Sequence, residues 1–191
     1  YMKKVLLKID GMTCSACSSG LEKYLNKQDG IKQANVNLVM NNANIEYDEQ
    51  KLTLEQVEKF IEKALENHMK GFNCAQAVAC AYSEVVGMDE NTIFKMAEGF
   101  GLGMGGMQCT CGALSGAIML AGLKESSGDV NNPTTKASTY KLSKEIVEEF
   151  REKNTSVICR ELKGVDTNVV LRSCDGCIED AARIAYNVLF K

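Results

Sequence analysis

Tryptophan is absent, and proline and histidine each occur once in the 191 residues. With His68 as the one imidazole, a histidine-rich zinc site is excluded, so any bound metal must be held mainly by sulfur. No run is long and apolar enough to span a bilayer, and no basic-then-apolar leader opens the chain. Membrane insertion is therefore not expected, and the cytoplasm is the default compartment. Charge of one sign is also scarce. A net charge of −3 offers no basic surface, so no nucleic-acid partner is expected.

What the chain has is cysteine, nine in all. Without a secretion signal these read as metal or redox ligands rather than a disulfide framework. Sulfur-dominated sites select Cu(I), Zn(II) or iron–sulfur chemistry. The length suits one large or two small domains, and a hydrophobic content of 45% supports a packed core.

The first third of the chain alternates. Val5, Leu7 and Ile9 predict a strand, and Gly11-Met12-Thr13-Cys14-Ser15-Ala16-Cys17 a loop. Cys17, Leu21, Tyr24 and Leu25 then share one helical face. Ala34, Val36, Leu38 and Met40 predict a second strand, and Ala43, Ile45 and Tyr47 a third. Thr53 to Gln56 reads as a capping box. Leu54, Val57, Phe60, Ile61, Ala64 and Leu65 form the stripe of a second helix. A two-residue spacer on a loop entering a helix lets both sulfurs converge on one soft ion, and the helix N-terminus offsets the thiolate charge.

This element order and the loop Gly-Met-Thr-Cys-Ser-Ala-Cys resemble the heavy-metal-associated domain of copper chaperones and of copper- and zinc-transporting P-type ATPases. The resemblance covers roughly residues 3–66, within a first domain expected at 1–66. It implies a ferredoxin-like sandwich in which Cys14 and Cys17 bind Cu(I) or another soft metal. No acidic residue flanks the two cysteines as in zinc-preferring relatives, which favours copper. A thioredoxin-type redox pair would need a parallel-sheet setting that is absent here. The family closes with a fourth strand. Here residues 66–73 do not alternate, so the helix is expected to run on and leave the first strand open for pairing, for instance in a homodimer.

From residue 67 onward every segment reads helical. Gly71 can end the long helix, and Asn73 with Gln76 can cap the next. Asp89 starts another. Residues 99–106 are a glycine-rich loop without the flanking strand and Lys-Ser/Thr of a phosphate site, so its expected role is close backbone approach to the following cysteines. Thr110 can cap a small-residue helix after Cys109 and Cys111. Pro133 suits the first turn of a long helix. Residues 156–164 form a short helix with a glycine stop, and Asp175 is expected to cap the last helix. Cys74, Cys111, Cys159 and Cys174 thus each lie at or near a helix start, where the dipole favours thiolate. Cys80 falls in a helix interior and reads as core. Cys109 and Cys177 neighbour favoured thiols and can serve as ligands or resolving partners.

Gly71-Phe72-Asn73-Cys74-Ala75-Gln76-Ala77, Cys111-Gly112-Ala113-Leu114-Ser115-Gly116-Ala117, Ile158-Cys159-Arg160-Glu161-Leu162 and Cys174 before Glu179-Asp180-Ala181-Ala182 resemble the C-GCAxxG-C-C family of redox-active proteins. That resemblance covers roughly residues 60–191, with the domain itself expected at 67–191, and implies Cys74, Cys111, Cys159 and Cys174 as the functional thiols. The ligand count matches a [2Fe–2S] or [4Fe–4S] iron–sulfur cluster. Two other readings stay open. One is a thiol–disulfide oxidoreductase using Cys109/Cys111 or Cys174/Cys177. The other is a metal delivery or storage protein whose second domain receives the ion from the first. The expected partners are a metal ion and a metal-transport or redox protein. The expected architecture is α+β, a ferredoxin-like domain followed by an all-α domain.

Overall fold

The computed structural model describes residues 2–9, 11–28 and 30–191, with side chains described outside residues 49–54. The chain divides into two compact units, Tyr1–Gln56 and Val57–Lys191.

In the first unit, strand β1 (Met2–Lys8), helix α1 (Ser15–Leu25), β2 (Ile31–Asn37) and β3 (Asn42–Asp48) follow in order. The three strands form one antiparallel sheet in the order β1-β3-β2. Val5 stands opposite Ile45, and Ala34 opposite the same residue from the other side. Ala34, Ala43 and Ile45 are the buried centre, joined by Val5, Ile9, Leu25, Ile31, Val36 and Tyr47.

The two edges of this sheet differ. On β2, Asn26 donates to the Ala34 carbonyl and accepts from the Ala34 amide, both at 2.8 Å. Glu22 accepts from the Val36 amide at 2.8 Å. Side chains of α1 and its C-terminus thus stand in for a neighbouring strand. On β1 no further strand pairs among the described residues, as expected from the missing fourth strand. Tyr24 departs from its expected place. The inward face of α1 is Leu21 and Leu25, and Tyr24 is exposed, because Glu22 and Asn26 turn toward β2.

Helix α2 (Glu49–Met69) begins directly after β3. It therefore starts before Thr53, and the Thr53 side chain expected to cap it lies outside the described residues. Gly71 follows at φ +98°, the left-handed stop the sequence predicted.

The second unit is helical. It contains α3 (Cys74–Ala81), α4 (Ser83–Val86), α5 (Glu90–Ala97), a short turn α6 (Gly101–Met104), α7 (Gly112–Glu125), α8 (Lys136–Asn154), α9 (Cys159–Leu162) and α10 (Cys174–Leu189). Val57, Ile61 and Ala64 of α2 join Val78, Leu114, Leu120, Ile146, Phe150 and Ile178 in one core. Its aromatic centre is Tyr82, stacked on Phe60 at 4.2 Å, with its hydroxyl donating to the Ala182 carbonyl at 2.7 Å. Small residues let the helices close. A β-carbon on Gly112 would meet the Phe100 carbonyl oxygen at 3.0 Å. Among the described residues no helix is long and apolar enough to cross a membrane.

Three expected helix starts move. Thr110 does not cap α7; it bridges to Ile158, and Cys111 takes the cap position. Pro133 precedes α8, which starts at Lys136 after Thr135, because Thr134 turns back onto the Asn132 carbonyl. Ser173, not Asp175, caps α10, accepting from the Gly176 amide at 3.1 Å. Cys174 therefore sits inside the first turn.

Candidate metal and thiol centres

In the first unit, Gly11 at φ +87° turns the chain out of β1, and Cys14 enters α1 in an extended conformation. Cys17 then falls in the first helical turn. The two sulfurs stand 3.1 Å apart and both are exposed. The Cys17 thiol lowers the Cys14 pKa, helped by the amides of Cys17 and Ala16 at the helix mouth. Two converging thiols open to solvent can take up and release one soft ion.

The remaining functional cysteine candidates come from four segments of the second unit. Asn73 caps α3, accepting from the amides of Ala75 and Gln76, and Gln76 accepts from the Asn73 amide at 3.0 Å. This reciprocal box, read in the sequence, sets Cys74 at the helix mouth. The segment around Cys109–Cys111 pairs with the segment before and at α9. Cys111 donates to the Val157 carbonyl at 2.8 Å, Cys159 to that of Cys109 at 3.0 Å, and Arg160 to that of Met107 at 2.9 Å. Cys159 is thereby held beside the cysteine turn. Gly103 closes over it: a β-carbon there would stand 2.6 Å from the Cys159 β-carbon. The glycine-rich loop thus has the close-approach role expected of it. It does so in strained backbone, with Leu102, Met104 and Met107 all at positive φ.

The thiols meet in pairs. Cys74 interacts with Cys174, and Cys111 with Cys177. The contact with Cys74, followed by the Lys163 ammonium, draws the Cys174 pKa down to about 5 against the opposing effect of burial. The same contact, with burial, drives Cys74 up. Cys177 lowers Cys111 to about 7, assisted by the amides of Leu114 and Ala113, while Cys177 itself is raised. Cys159 is raised by burial and by the charge of Cys111. The strongest mutual effects therefore run between helices rather than along the Cys109/Cys111 and Cys174/Cys177 spacings that the sequence offered as dithiols. Among the described residues no three His, Cys, Asp or Glu side chains are gathered as ligands to one metal ion. Cys80 is buried in α3, its pKa pushed up to about 11 by burial, and belongs to the core as expected. Cys109 is exposed.

Several participants were not singled out from the sequence. Lys163, one residue before a glycine stop, reaches Cys174. His68 binds the Phe72 carbonyl through Nδ1 at 2.9 Å, and its Nε2 lies 3.6 Å from Asp175. Asp180, fully buried, is clamped by Arg172 at 2.9 and 3.1 Å and by Lys153 at 2.9 Å. That clamp fixes the backbone two residues before Cys174. An acidic residue in an otherwise alanine-rich helical stripe was the available signal for it.

The sequence model described as "Putative redox-active protein (C_GCAxxG_C_C)" matches residues 72–188. The chain belongs to the C-GCAxxG-C-C family. Ahead of this C-GCAxxG-C-C region, residues 6–71 match the heavy-metal-associated domain. Over that part the chain is 47% identical across 55 residues to a copper-transporting ATPase of Helicobacter pylori, covering 29% of this chain and 7% of the relative. It is 46% identical across 57 residues to a copper-exporting P-type ATPase of Staphylococcus saprophyticus, covering 30% and 7%. The chain thus spans only a small fraction of these relatives. No solved structure matches it.

Proposed function

We infer that this protein couples soft-metal capture to a sulfur-based redox centre. Residues 1–66 form the metal-binding domain and residues 67–191 the redox domain. The ion bound by Cys14 and Cys17 is Cu(I). The observation that carries this is the pair of exposed sulfurs 3.1 Å apart at the mouth of α1. The likeness to the metal-binding segments of copper ATPases supports the choice of ion. Exposure suits exchange with a metal-transport partner in the cytoplasm, where thiols stay reduced.

In the second domain Cys74, Cys111, Cys159 and Cys174 are the ligands of an iron–sulfur cluster. The all-sulfur donor chemistry suits such a group, and the Lys163 ammonium beside Cys174 brings compensating positive charge. When bound, a cluster would supply one-electron transfer. The chain's own residues place the thiols at helix mouths and exclude bulk water from Cys111 and Cys159. A dithiol oxidoreductase is the second reading, favoured by the pairwise thiol contacts.

Two measurements test these assignments on the full chain. Protein purified without oxygen should be brown with sulfur-to-iron absorption in the visible. A colourless, iron-free protein that cannot be reconstituted with iron and sulfide overturns the cluster reading and leaves the dithiol and metal-storage readings. Replacing Cys14 and Cys17 together by Ser should remove one high-affinity Cu(I) per chain. Unchanged stoichiometry and affinity in that folded variant would place copper elsewhere.

A further inference from the structure

The sulfurs of Cys14 and Cys17 stand 3.1 Å apart. In a disulfide the separation is about 2.05 Å, so closing the gap by about 1 Å would join them covalently. The local structure leaves room for that closure. Cys14 lies outside α1 in extended backbone, whereas Cys17 sits in the first turn with its amide bonded to the Cys14 carbonyl at 3.1 Å. Ser15 and Ala16 between them are small and exposed. No residue of α1 is buried, and the helix is fixed to β2 farther along, through Glu22 and Asn26. A turn of the Cys14 side chain can therefore bring the sulfurs together without unwinding the helix.

We propose that Cys14 and Cys17 are a redox gate on metal capture, in which a low-molecular-weight disulfide links them into a form that cannot take up Cu(I), while an ion already bound protects them. This rests on the reading of the pair as the Cu(I) site. The Cys14 thiolate attacks the small disulfide, forming a mixed disulfide and releasing one small thiolate. Cys17 loses its proton to solvent and attacks the Cys14 sulfur, and the second small thiolate leaves. Two protein thiols and one small disulfide become one protein disulfide and two small thiols, so atoms and electrons balance. A reducing thiol pool reverses each exchange.

Both thiols are exposed, so a small disulfide reaches them without any opening of the fold. The exchange needs only two adjacent sulfurs and solvent, and does not call for the parallel-sheet setting of a thioredoxin-type enzyme. A sulfur bonded to Cu(I) has its attacking electron pair engaged, which is why the loaded pair resists oxidation. In a reducing compartment the gate stays open. When small disulfides accumulate, capture of new copper stops and copper already held is retained.

The test uses the metal-free full chain, treated without oxygen with oxidised glutathione, quenched in acid, alkylated and mapped by peptide mass spectrometry. The expected product is a Cys14–Cys17 crosslink. Titrated against a colorimetric Cu(I) chelator, the crosslinked chain should bind one high-affinity Cu(I) fewer than the reduced chain. Dithiothreitol, removed before the titration, should restore that ion. Cys17→Ser should stop at a glutathione adduct on Cys14. A chain loaded with one Cu(I) beforehand should keep both thiols unlinked over the same time. If Cys14 and Cys17 are both alkylated in the treated metal-free chain, the gate is overturned and the copper reading stands. If loaded and metal-free chains crosslink equally fast, the protection is overturned and with it the gate. If the crosslinked chain binds as much Cu(I) as the reduced chain, the ion does not sit on this pair, and both the copper reading and the gate fall.

Discussion

A β-carbon on Gly116 would stand 2.6 Å from the carbonyl oxygen of Ala75. The second glycine of the Cys111-Gly112-Ala113-Leu114-Ser115-Gly116 block is thus the contact plane between α7 and α3, one residue along from Cys74. Gly116→Ala must push the two helices apart. The expected cost is about 1–3 kcal/mol of stability from overpacking, read by urea unfolding. The Cys74 and Cys111 thiols should also become more accessible, so alkylation of both in the reduced protein should quicken. Gly122, with nothing within 4 Å of such a β-carbon, is the control, and its alanine variant should be neutral or slightly stabilised.

The thiol pair Cys74–Cys174 carries a pH prediction for the reduced, metal-free chain. Cys174 titrates near 5 because of Cys74 and Lys163. In the unfolded chain a thiol titrates at about 8.5. The native state therefore gives up this proton earlier. The stability that Cys174 contributes is fully present above about pH 8.5 and is lost as the pH falls through 5. Cys74 is raised, so its contribution has the opposite sign and is lost at alkaline pH. The pair together should stabilise the fold most near pH 8.5. Cys174 alkylation should have its midpoint near pH 5, and Lys163→Met should shift that midpoint upward by on the order of one unit. An ordinary thiol titration at Cys174 in the parent would contradict the arrangement.

Asp180 gives a third prediction. Its carboxylate is wholly buried against Arg172 and Lys153, and breaking such a set leaves uncompensated charge. Both cations are partly exposed, so the cost of Asp180→Asn should lie near the low end for buried pairs, about 3 kcal/mol by urea unfolding. The Cys174 thiol should also lose its fixed position. Arg172→Lys should restore the charge but not the two-pronged grip, and should rescue the stability in part.

What the sequence made legible was local. The metal loop, the Asn73–Gln76 box, the Asp89 cap and the Gly71 stop all depend on neighbours within a few residues, and each stands where its chemistry placed it. The order of elements was legible for the same reason. The thiol partners were not. Cys74 and Cys174 lie a hundred residues apart, and nothing in their spacing says that α3 and α10 bring them together. Reading along the chain made Cys174/Cys177 look like a dithiol, whereas packing of α7 against α10 gives Cys177 to Cys111. The caps at Thr110 and Asp175 and the first-turn place of Pro133 failed because a competing bond, to Ile158, Ser173 or Asn132, was available nearby. Tyr24 was misplaced because two polar neighbours on its helix had a strand edge to satisfy.

The last prediction comes from that strand edge. Asn26 and Glu22 close β2, but along Lys4–Leu7 β1 faces no other strand among the described residues, and Leu6 is 66% exposed. Open edges of this kind recruit another strand. Antiparallel pairing of two copies of β1 would also cover the two Leu6 side chains. The strand carries lysines at 3, 4 and 8, so two copies brought together repel. Association should therefore be weak at low ionic strength and strengthen with added salt, which shortens the range of the repulsion between the solvent-exposed lysines. Sedimentation of the full chain should show a salt-promoted dimer at high protein concentration. Leu6→Pro should remove it, since proline cannot donate to the ladder, while leaving the helical content unchanged. A chain that stays monomeric at every salt concentration, or a dimer indifferent to Leu6→Pro, would show that β1 is not the contact.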